Sequence, residues 1–562
     1  MLNKKDYLII LILTIIFSGL ICYKLGYHTI NQYIWQPTKD NQQIKINFQQ
    51  PTIVSKIYFQ NSLIDGKYHF EYLNPVTNQT VYLDTNMDRF HNNFQWNKVI
   101  INNLQPINQI TLKVDKLNIQ LIQLALFDQQ GNYLTNYTLD SSDNQDVSKL
   151  ISPTPPKDID NNYMSSTIFD EIYYTASAYQ YIHGIPPYVN VHPPLGMLLI
   201  AIGIIIFGLS PFGWRIICCS SSILLLPVIY VFSKKMFNST RVATLSTLLI
   251  FFELMHFTIG RLAFLDSIVT LFIVIEYYYL FKYIEHRHSL QPLNKKAYKY
   301  LLLCGIFFGF GLSTKLNAGF SAPLILIVII YYEFITNTQT IKQSIIMLAK
   351  LGLIFIVIPL TIYTLSYIPY ANSMHSTDII NFTINKFIEM KHYQIDGLTN
   401  ATHPYASKWW SWPLLLKPMS IYYWMDNTTN LSSSIAFIGN PAIFWPMIPL
   451  VIYLIYQYMK TCDYKAGFIL LSICSQYIPY IIITRISFIY YFYPTVPFLI
   501  LGYTYLIDKL LKSADNRLHY IAYAFVIING LFFILFYPAI SGMVVPRSYI
   551  VNNLLLLHGW NF

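Results

Sequence analysis

The sequence predicts a polytopic α-helical membrane protein with one β-sheet domain inserted after its first membrane span. Apolar residues make up 54% of the 562 residues and charged residues only 11%, against roughly 25% charged in soluble domains. A polar segment, residues 36–160, interrupts the apolar runs and alternates apolar and polar residues as strands do. Together these features predict a membrane-embedded helical domain and a separate folded domain outside the bilayer.

The first apolar run, residues 7–27, follows two lysines. It is about 20 residues long, enough to cross a bilayer, and no small-x-small cleavage site follows it. We therefore expect residues 1–35 to be an uncleaved anchor, with a cleaved signal peptide as the alternative. Ten later runs bring the predicted number of spans to eleven, at residues 214–232, 242–260, 265–283, 300–314, 317–335, 351–370, 441–459, 466–484, 487–507 and 519–538.

Lysine and arginine cluster in every second loop between these runs, which explains the net charge of +10 by the positive-inside rule and not by nucleic-acid binding. This pattern predicts a multi-pass protein of the cell membrane with a cytoplasmic N-terminus. The polar domain and the C-terminus are then extracytoplasmic. The apolar stretch 195–209 is too short for a span, and we interpret it as a re-entrant or surface helix.

Residues 36–160 predict an extracytoplasmic β-sandwich, since short alternating stretches recur at close spacing. It loosely resembles jelly-roll modules that bind carbohydrate, and a structural or docking domain without a sugar site is the alternative. The expected strands lie at residues 43–48, 53–60, 68–73, 99–104, 110–114 and 118–127.

Residues 161–562 form the predicted membrane domain, and its first segment carries the strongest chemical signal. The motif F-D-E-I-Y-Y places Asp170 beside Glu171, H-P-P-L-G contains His192, and Arg215 opens the next span. A carboxylate can accept the proton of a hydroxyl, and a fixed cation can stabilise a departing phosphate. The combination suits a reaction that deprotonates one substrate and expels a phosphate from another, and transfer of a sugar from a lipid phosphate is such a reaction.

Other charged residues map to the same predicted outer ends of spans, where an unpaired charge is costly. Ion pairs between span ends, such as Arg261 with Asp266, are the alternative to a functional site. No soluble nucleotide-sugar domain with a D-x-D motif and no G-x-x-x-x-G-K-[ST] phosphate loop occur, so a nucleotide donor is not expected. No metal is required if arginine and lysine provide the phosphate charge, and neither a metal nor a cofactor is expected. The outer set comprises Arg261, Asp266, Lys315, His403 and Arg485, with His403 in the long outer loop 371–440.

The order of motifs is similar to that of the protein O-mannosyltransferase family. The matching segments are F-D-E-I-Y-Y, H-P-P-L-G, F-G-L-S-P-F-G-W-R, R-L-A-F-L-D, S-T-K, H-P-Y-A-S-K-W-W-S-W-P-L and R-I-S-F-I-Y-Y-F-Y-P-T-V-P-F-L, within about 165–510. More broadly, the chain resembles bacterial phospholipid-carrier-dependent glycosyltransferases of the GT-C fold.

The resemblance implies an inverting glycosyltransferase that takes mannose from a polyprenyl-phosphate donor. It matches Asp170 to the family's catalytic acid position and Glu171 to the adjacent essential carboxylate. Arg215 matches the arginine that opens the next span, and we expect it to bind the donor phosphate or to hold the acid pair. Lys315 and Arg485 are further candidates for phosphate contact, and His192, Arg261, Asp266 and His403 are other candidate site residues.

Two motif positions depart from those of the family: Met197 replaces a usual lysine, and Tyr490-Tyr491 occupies a run that often has histidine. The expected acceptor is a hydroxyl of a secreted or surface protein, on Ser or Thr, and the expected partners include membrane lipid but no nucleic acid. A transferase that modifies a lipid or a cell-wall glycopolymer is one alternative. A polytopic transporter or lipid flippase is the other, although transporters tend to show paired repeats and polar groups at the midplane.

Overall fold

The computed structural model describes residues 2–28, 33–64, 66–102, 105–116, 119–143, 145–152, 154–157, 159, 162–289, 293–335, 340–398 and 401–561. The chain divides into two compact units. One comprises Lys24–Ile182 and Ala201–Arg215, and the other comprises Met1–Tyr23, His183–Ile200 and Ile216–Phe562.

The first unit is a two-sheet β-fold, as the alternating pattern predicts. A five-stranded sheet in the order β4-β3-β6-β1-β9 and a four-stranded sheet in the order β5-β2-β7-β8 enclose an apolar core. Neighbouring strands in both sheets are antiparallel, including β1 with β6 and β2 with β7. The strands are β1 (Gln43–Thr52), β2 (Lys56–Asn61), β3 (Gly66–Leu73), β4 (Thr80–Met87), β5 (Trp96–Ile100), β6 (Ile107–Val114), β7 (Leu121–Phe127), β8 (Tyr133–Leu134) and β9 (Tyr137–Ser141).

The core of this unit comes from the apolar positions of the strands. Ile44 and Ile46 of β1, like Ile110 and Leu112 of β6, point to one face with period two and are fully buried. The compact unit is larger than the predicted domain 36–160, because it begins at Lys24 and also contains residues 162–182 and 201–215. Positions 103–104 and 118 of the expected strands lie outside the described residues.

The second unit is helical. Short strands β10 (Met419–Asp426), β11 (Leu431–Phe437) and β12 (Val545–Pro546) form a small antiparallel sheet in it. The helices of the whole chain are α1 (Lys4–Cys22), α2 (Glu171–Ile182), α3 (Leu195–Phe207), α4 (Pro211–Phe237), α5 (Thr240–Phe251), α6 (Leu254–Gly260), α7 (Leu265–His288), α8 (Lys295–Thr314), α9 (Ala322–Ile329), α10 (Ile341–Gly352), α11 (Ile358–Ser366), α12 (Ile368–Ser373), α13 (Ile379–His392), α14 (Pro441–Phe444), α15 (Met447–Thr461), α16 (Tyr464–Tyr477), α17 (Pro479–Ile482), α18 (Val496–Leu511), α19 (Asn516–Ser541) and α20 (Arg547–Asn553).

Nine helical segments of the described chain are long and apolar enough to cross a membrane, and the bent pair α5–α6 could be a tenth. The chain is therefore a multi-pass membrane protein. The predicted span 487–507 is not one continuous α-helix. A 3-10 segment, Ile489–Thr495, precedes α18, which has 16 residues and falls below the length that a perpendicular span needs.

The chain breaks between two spans where the sequence suggested it would. Helix α8 ends at Thr314, and Lys315 adopts an extended backbone with φ −156° and ψ 132°. A 3-10 segment, Leu316–Ser321, then leads into α9. Because Lys315 lies outside both helices, its position is set by this break and not by helical periodicity.

Candidate active site

The two adjacent carboxylates stand at the start of α2. Phe169 has a positive φ of 52°, a conformation that bulky residues rarely adopt, and it turns the chain sharply into the helix. The backbone N–H of Ile168 donates to Oε2 of Glu171 over 3.0 Å. Glu171 is fully buried, whereas Asp170 is half-buried. Asp170 is therefore more accessible to a substrate than its neighbour Glu171.

Arg215, in the first turns of α4, is paired with Glu171 inside the same unit. Its Nε and one Nη donate to the two oxygens of Glu171, each over 2.7 Å. The remaining N–H groups donate to the backbone carbonyls of Leu25, Tyr163 and Ser166 over 2.8, 2.6 and 3.1 Å. A guanidinium has five N–H donors, so every donor of Arg215 has a protein partner.

A second ion pair lies in the helical unit. Lys315 donates from Nζ to both oxygens of Asp266 over 2.9 and 2.8 Å. Asp266 is in the first turn of α7 and is fully buried, and Lys315 is 8% exposed. The sequence suggested Arg261 as a partner of Asp266, but the acid pairs with a lysine at the end of the neighbouring helix α8.

A cavity of about 420 Å³ lies next to this pair. It brings together three of the site residues that the sequence predicts, namely His192, Lys315 and Arg485. Arg485 lies in the irregular segment between α17 and the 3-10 segment Ile489–Thr495. The other lining residues are Val191, Leu316, Asn317, Phe320, Gln394, Ile395, Tyr480, Ile482, Ile483, Thr484 and Tyr491.

The cavity has an electropositive side. Burial and the positive charges of Lys315 and Arg485 lower the pKa of His192 well below its ordinary value of 6.5. His192 is therefore neutral near pH 7 and can both donate and accept a hydrogen bond. Asp266 balances the charge of Lys315, and His192 is neutral. The positive charge of Arg485 is therefore the net charge of these four residues.

Aromatic rings form another part of the cavity wall, and the sequence did not single out most of them. Tyr480 stacks near Tyr491 with ring centroids 6.0 Å apart and 29° between the planes. Trp412 packs on Tyr480 with centroids 5.1 Å apart and is fully buried. Its burial shows that this tryptophan of the W-W-S-W motif is a core residue that supports the cavity. An excess of aromatic residues over 477–493 is the signal that could have located the wall.

The other two predicted site residues have different surroundings. Arg261 donates to the backbone carbonyls of Ile21 and Tyr23, each over 2.7 Å, and to that of Ser541 over 3.2 Å. His403 packs edge-on against Phe488 with centroids 5.1 Å apart. Partial burial, together with the positive charge of Lys417, lowers the pKa of His403. Neither residue lines the cavity.

Within the described residues, no group of three or more His, Cys, Asp and Glu side chains is placed as a metal ion requires. We therefore assign no metal ligand.

The protein-family comparison matches two models of one family. Residues 205–375 match the dolichyl-phosphate-mannose-protein mannosyltransferase model, and residues 382–560 match the C-terminal four-span region of protein O-mannosyltransferase. Together they cover more than half of the chain. The chain belongs to the protein O-mannosyltransferase family. Arg215, Asp266 and Lys315 fall in the first matched segment and Arg485 in the second, whereas Asp170, Glu171 and His192 precede both.

Relatives within the protein O-mannosyltransferase family are distant in sequence but similar in length. The polyprenol-phosphate-mannose–protein mannosyltransferase of Mycobacterium tuberculosis is 23% identical over 448 residues, which cover 68% of this chain and 84% of the relative. The Corynebacterium glutamicum protein of the same name is 22% identical over 464 residues, covering 70% and 88%.

A solved structure shares the GT-C fold of the family. The Saccharomyces cerevisiae protein O-mannosyltransferase Pmt1-Pmt2 complex bound to the sugar donor matches with a TM-score of 0.61 and 15% identity, covering 70% of this chain and 89% of that one. This likeness supports the fold class that the sequence predicts, a polytopic GT-C membrane protein, here with a β-sheet domain inserted among the helices.

Proposed function

We propose that this enzyme transfers mannose from a polyprenyl-phosphate donor to a Ser or Thr hydroxyl of an extracytoplasmic protein. The observation that carries the proposal is the cavity beside Lys315, Arg485 and His192, in a chain of this family. The mannose-linked phosphate of such a donor is a diester with one negative charge. The single net positive charge of Lys315, Asp266 and Arg485 complements it.

The charge of the phosphate grows during the reaction, and the cavity is suited to that change. The bond between the anomeric carbon and the phosphate oxygen breaks, and the leaving polyprenyl phosphate takes the electron pair and a second negative charge. Lys315 and Arg485 then interact more strongly with the departing group than with the bound donor. Cations that act on developing charge accelerate the chemical step and do not only bind substrate.

Asp170 is the proposed general base. The acceptor hydroxyl gives its proton to the carboxylate and attacks the anomeric carbon from the side opposite the phosphate, which inverts that carbon. Two observations support Asp170 over Glu171: Asp170 is half-buried, and both oxygens of Glu171 are occupied by Arg215 and a backbone N–H. We assign Glu171 and Arg215 to holding the segment that presents Asp170.

His192 completes the proposed donor site as a neutral hydrogen-bonding group. Its lowered pKa means that it adds no charge at neutral pH, so the cavity does not become more cationic than the donor requires. We assign it a hydrogen bond to the phosphate or the sugar. Arg261 and His403 have no proposed contact with the donor.

The test is transfer by the purified full-length protein. Detergent-solubilised enzyme is incubated with polyprenyl-phosphate [14C]mannose and either a secreted protein substrate or a cell-wall glycopolymer. We expect label on protein hydroxyls, located by mass spectrometry, and at least about 100-fold slower labelling with the Asp170→Asn variant. Label on the polymer or on lipid alone contradicts the proposed acceptor, and no transfer to any acceptor contradicts the proposed reaction.

The proposal places the site on the outer side of the cell membrane, with a cytoplasmic N-terminus. Its support is the alternation of basic loops, such as Lys282, Arg287, Lys295, Lys296 and Lys299 between two spans. Protease added to intact cells should cleave within residues 36–160 and 371–440 but not within 282–299. Cleavage at 282–299 from outside contradicts this orientation.

A further inference from the structure

Tyr491 is in contact with both cations of the cavity. The Lys315 Nζ and the Arg485 Cζ each lie 5.5 Å from the centroid of its ring. The Arg485 Nη1 also donates to the Tyr491 hydroxyl at the outer limit of a hydrogen bond, 3.5 Å. A cation within about 6 Å of an aromatic centroid is attracted by the electron-rich face of the ring. One side chain therefore interacts favourably with two groups that repel each other.

The two cations are held in different ways. Lys315 has a carboxylate partner, since both oxygens of Asp266 accept from its ammonium. Arg485 lies on an irregular segment between α17 and the 3-10 segment Ile489–Thr495, where no helical backbone fixes its direction. Its ring contact and its hydrogen bond are both with Tyr491. The loss of Tyr491 should therefore affect Arg485 more than Lys315.

The ring of Tyr491 is itself well supported. It stacks near Tyr480 and meets the edge of Tyr490 with centroids 4.8 Å apart and 87° between the planes. Phe488 makes a second edge contact at 5.8 Å. Rings that pack on three sides have little freedom to rotate, so Tyr491 offers a fixed surface for a flexible guanidinium.

We propose that Tyr491 is a positioning residue for the donor phosphate and acts through Arg485. The inference rests on the proposed function. It explains how Lys315 and Arg485 are placed so that both can contact one phosphate. The Lys315 Nζ and the Arg485 Cζ each lie 5.5 Å from the ring centroid of Tyr491, so these two atoms cannot be further apart than twice that distance. A phosphate that accepts charge-assisted bonds of about 2.8 Å on two sides spans roughly 8 Å between the donors, which fits within this limit.

The test is a double-mutant cycle that measures binding of a polyprenyl phosphate, without sugar or acceptor, by calorimetry in detergent. Tyr491→Leu and Tyr491→Met remove the aromatic face, and Tyr491→Met keeps more of the side-chain length. Both should weaken binding about 10-fold, between the effects of an exposed and of a fully desolvated cation–π contact. Tyr491→Phe keeps the ring and should stay within about 3-fold of the wild type.

The decisive comparison uses Arg485→Ala. If Tyr491 acts through Arg485, Tyr491→Leu should cause no further loss of binding in the Arg485→Ala background, because contacting residues couple and independent ones add. Tyr520→Leu, at a tyrosine that is 73% exposed on α19, is the matched control and should bind as the wild type does. If the fold-losses of binding caused by Tyr491→Leu and Arg485→Ala multiply in the double variant, the inference is wrong.

The outcomes separate this inference from the proposed function. If the wild type binds a polyprenyl alcohol as tightly as the polyprenyl phosphate, the phosphate site is wrong, and both fail. If the wild type prefers the phosphate and folded Tyr491→Leu and Tyr491→Met bind it equally well, only the role of Tyr491 fails. Size-exclusion profiles identify misfolded variants, and Tyr491→Phe binding 10-fold worse than wild type also contradicts a role for the ring.

Discussion

Two buried ion pairs of this enzyme, Glu171–Arg215 and Asp266–Lys315, are similar in chemistry and different in surroundings. Glu171–Arg215 and Asp266–Lys315 each join a fully buried carboxylate to a buried cation at 2.7 to 2.9 Å. The first pair is closed, because every N–H of Arg215 already has a protein acceptor. The second pair borders a cavity that another cation, Arg485, also lines.

This difference teaches that the role of a buried charge is set by what remains available to a ligand. Binding a phosphate at Arg215 would require breaking bonds to three backbone carbonyls and a carboxylate. Lys315 has an ammonium with three donors, and the cavity gives a ligand access to it. The residue that the family motif highlights is therefore assigned to structure, and the lysine between two spans is assigned to the donor.

We expect the largest effect on catalysis from a change of Asp170, which is next to the closed Glu171–Arg215 pair in sequence. Asp170→Asn should reduce kcat by about 10²–10⁴-fold, the usual contribution of a general base, with little change in the thermal unfolding temperature. Transfer of labelled mannose and thermal unfolding in detergent measure the two quantities. A loss below about tenfold would mean that Asp170 is not the base.

Breaking the closed pair should cost stability more than catalysis. Arg215→Met leaves Glu171 as an uncompensated buried charge, and we expect a loss of about 3–5 kcal/mol in the free energy of unfolding. The double variant Glu171→Gln/Arg215→Met has no orphaned charge and should recover part of that loss. Thermal unfolding and the yield of monodisperse protein measure this, and a folded Arg215→Met with weakened donor binding argues for a phosphate contact instead.

Changes to the two residues of the Asp266–Lys315 pair should have different effects on donor binding. Lys315→Met should weaken donor binding by about 10–100-fold, since a charged hydrogen bond to the phosphate is lost. Asp266→Asn leaves the lysine charge uncompensated and should bind the donor at least as tightly as the wild type. Donor KM and calorimetric affinity measure this contrast, and equal weakening by both variants indicates that the pair is structural, like Glu171–Arg215.

Arg485→Lys tests the second cation of the open site. Lysine keeps the charge but lacks the planar fork that grips two phosphate oxygens, so we expect donor KM to rise by about 3–10-fold, the contribution of about one ordinary hydrogen bond. The kcat should change less. Lys417→Arg, outside the cavity lining, is the control for exchanging these two side chains, and an unchanged KM for Arg485→Lys removes Arg485 from the phosphate site.

The smallest expected effect is a pH dependence from His192. Its folded-state pKa is lowered below the ordinary 6.5, so the unfolded chain binds more protons as the pH falls below that value, and stability is lost on acidification. His192→Gln should lose less stability than the wild type between pH 7 and pH 5. Unfolding temperatures across this range measure the difference, and parallel curves contradict the lowered pKa.

Sequence patterns located the elements of this fold because they depend on local periodicity. Period-two alternation identified the two-sheet domain, and the break at Thr314–Lys315 was visible as a polar interruption in an apolar run. The expected span 487–507 begins in the structure with the 3-10 segment Ile489–Thr495 and continues as α18. Hydropathy could not predict this, because it does not distinguish a 3-10 segment from the first turns of an α-helix.

The sequence predicted the candidate site only in part. The sequence identified His192, Lys315 and Arg485 individually, since charges at span ends are unusual, but it could not show that they line one cavity. Asp266 pairs with a lysine 49 positions later, and Arg215 donates to a carbonyl 190 positions earlier. Such contacts depend on tertiary packing, and no local pattern encodes them.

Helix α1 is fastened at both of its ends, which has a consequence for biosynthesis. Near its start, Asp6 accepts from Tyr230 and Thr240 over 2.7 Å each, and near its end the carbonyls of Ile21 and Tyr23 accept from Arg261. These partners are synthesised more than 200 positions later. Helix α1 must therefore stay in the membrane, only loosely held, until α4 to α6 have been inserted and can dock against it.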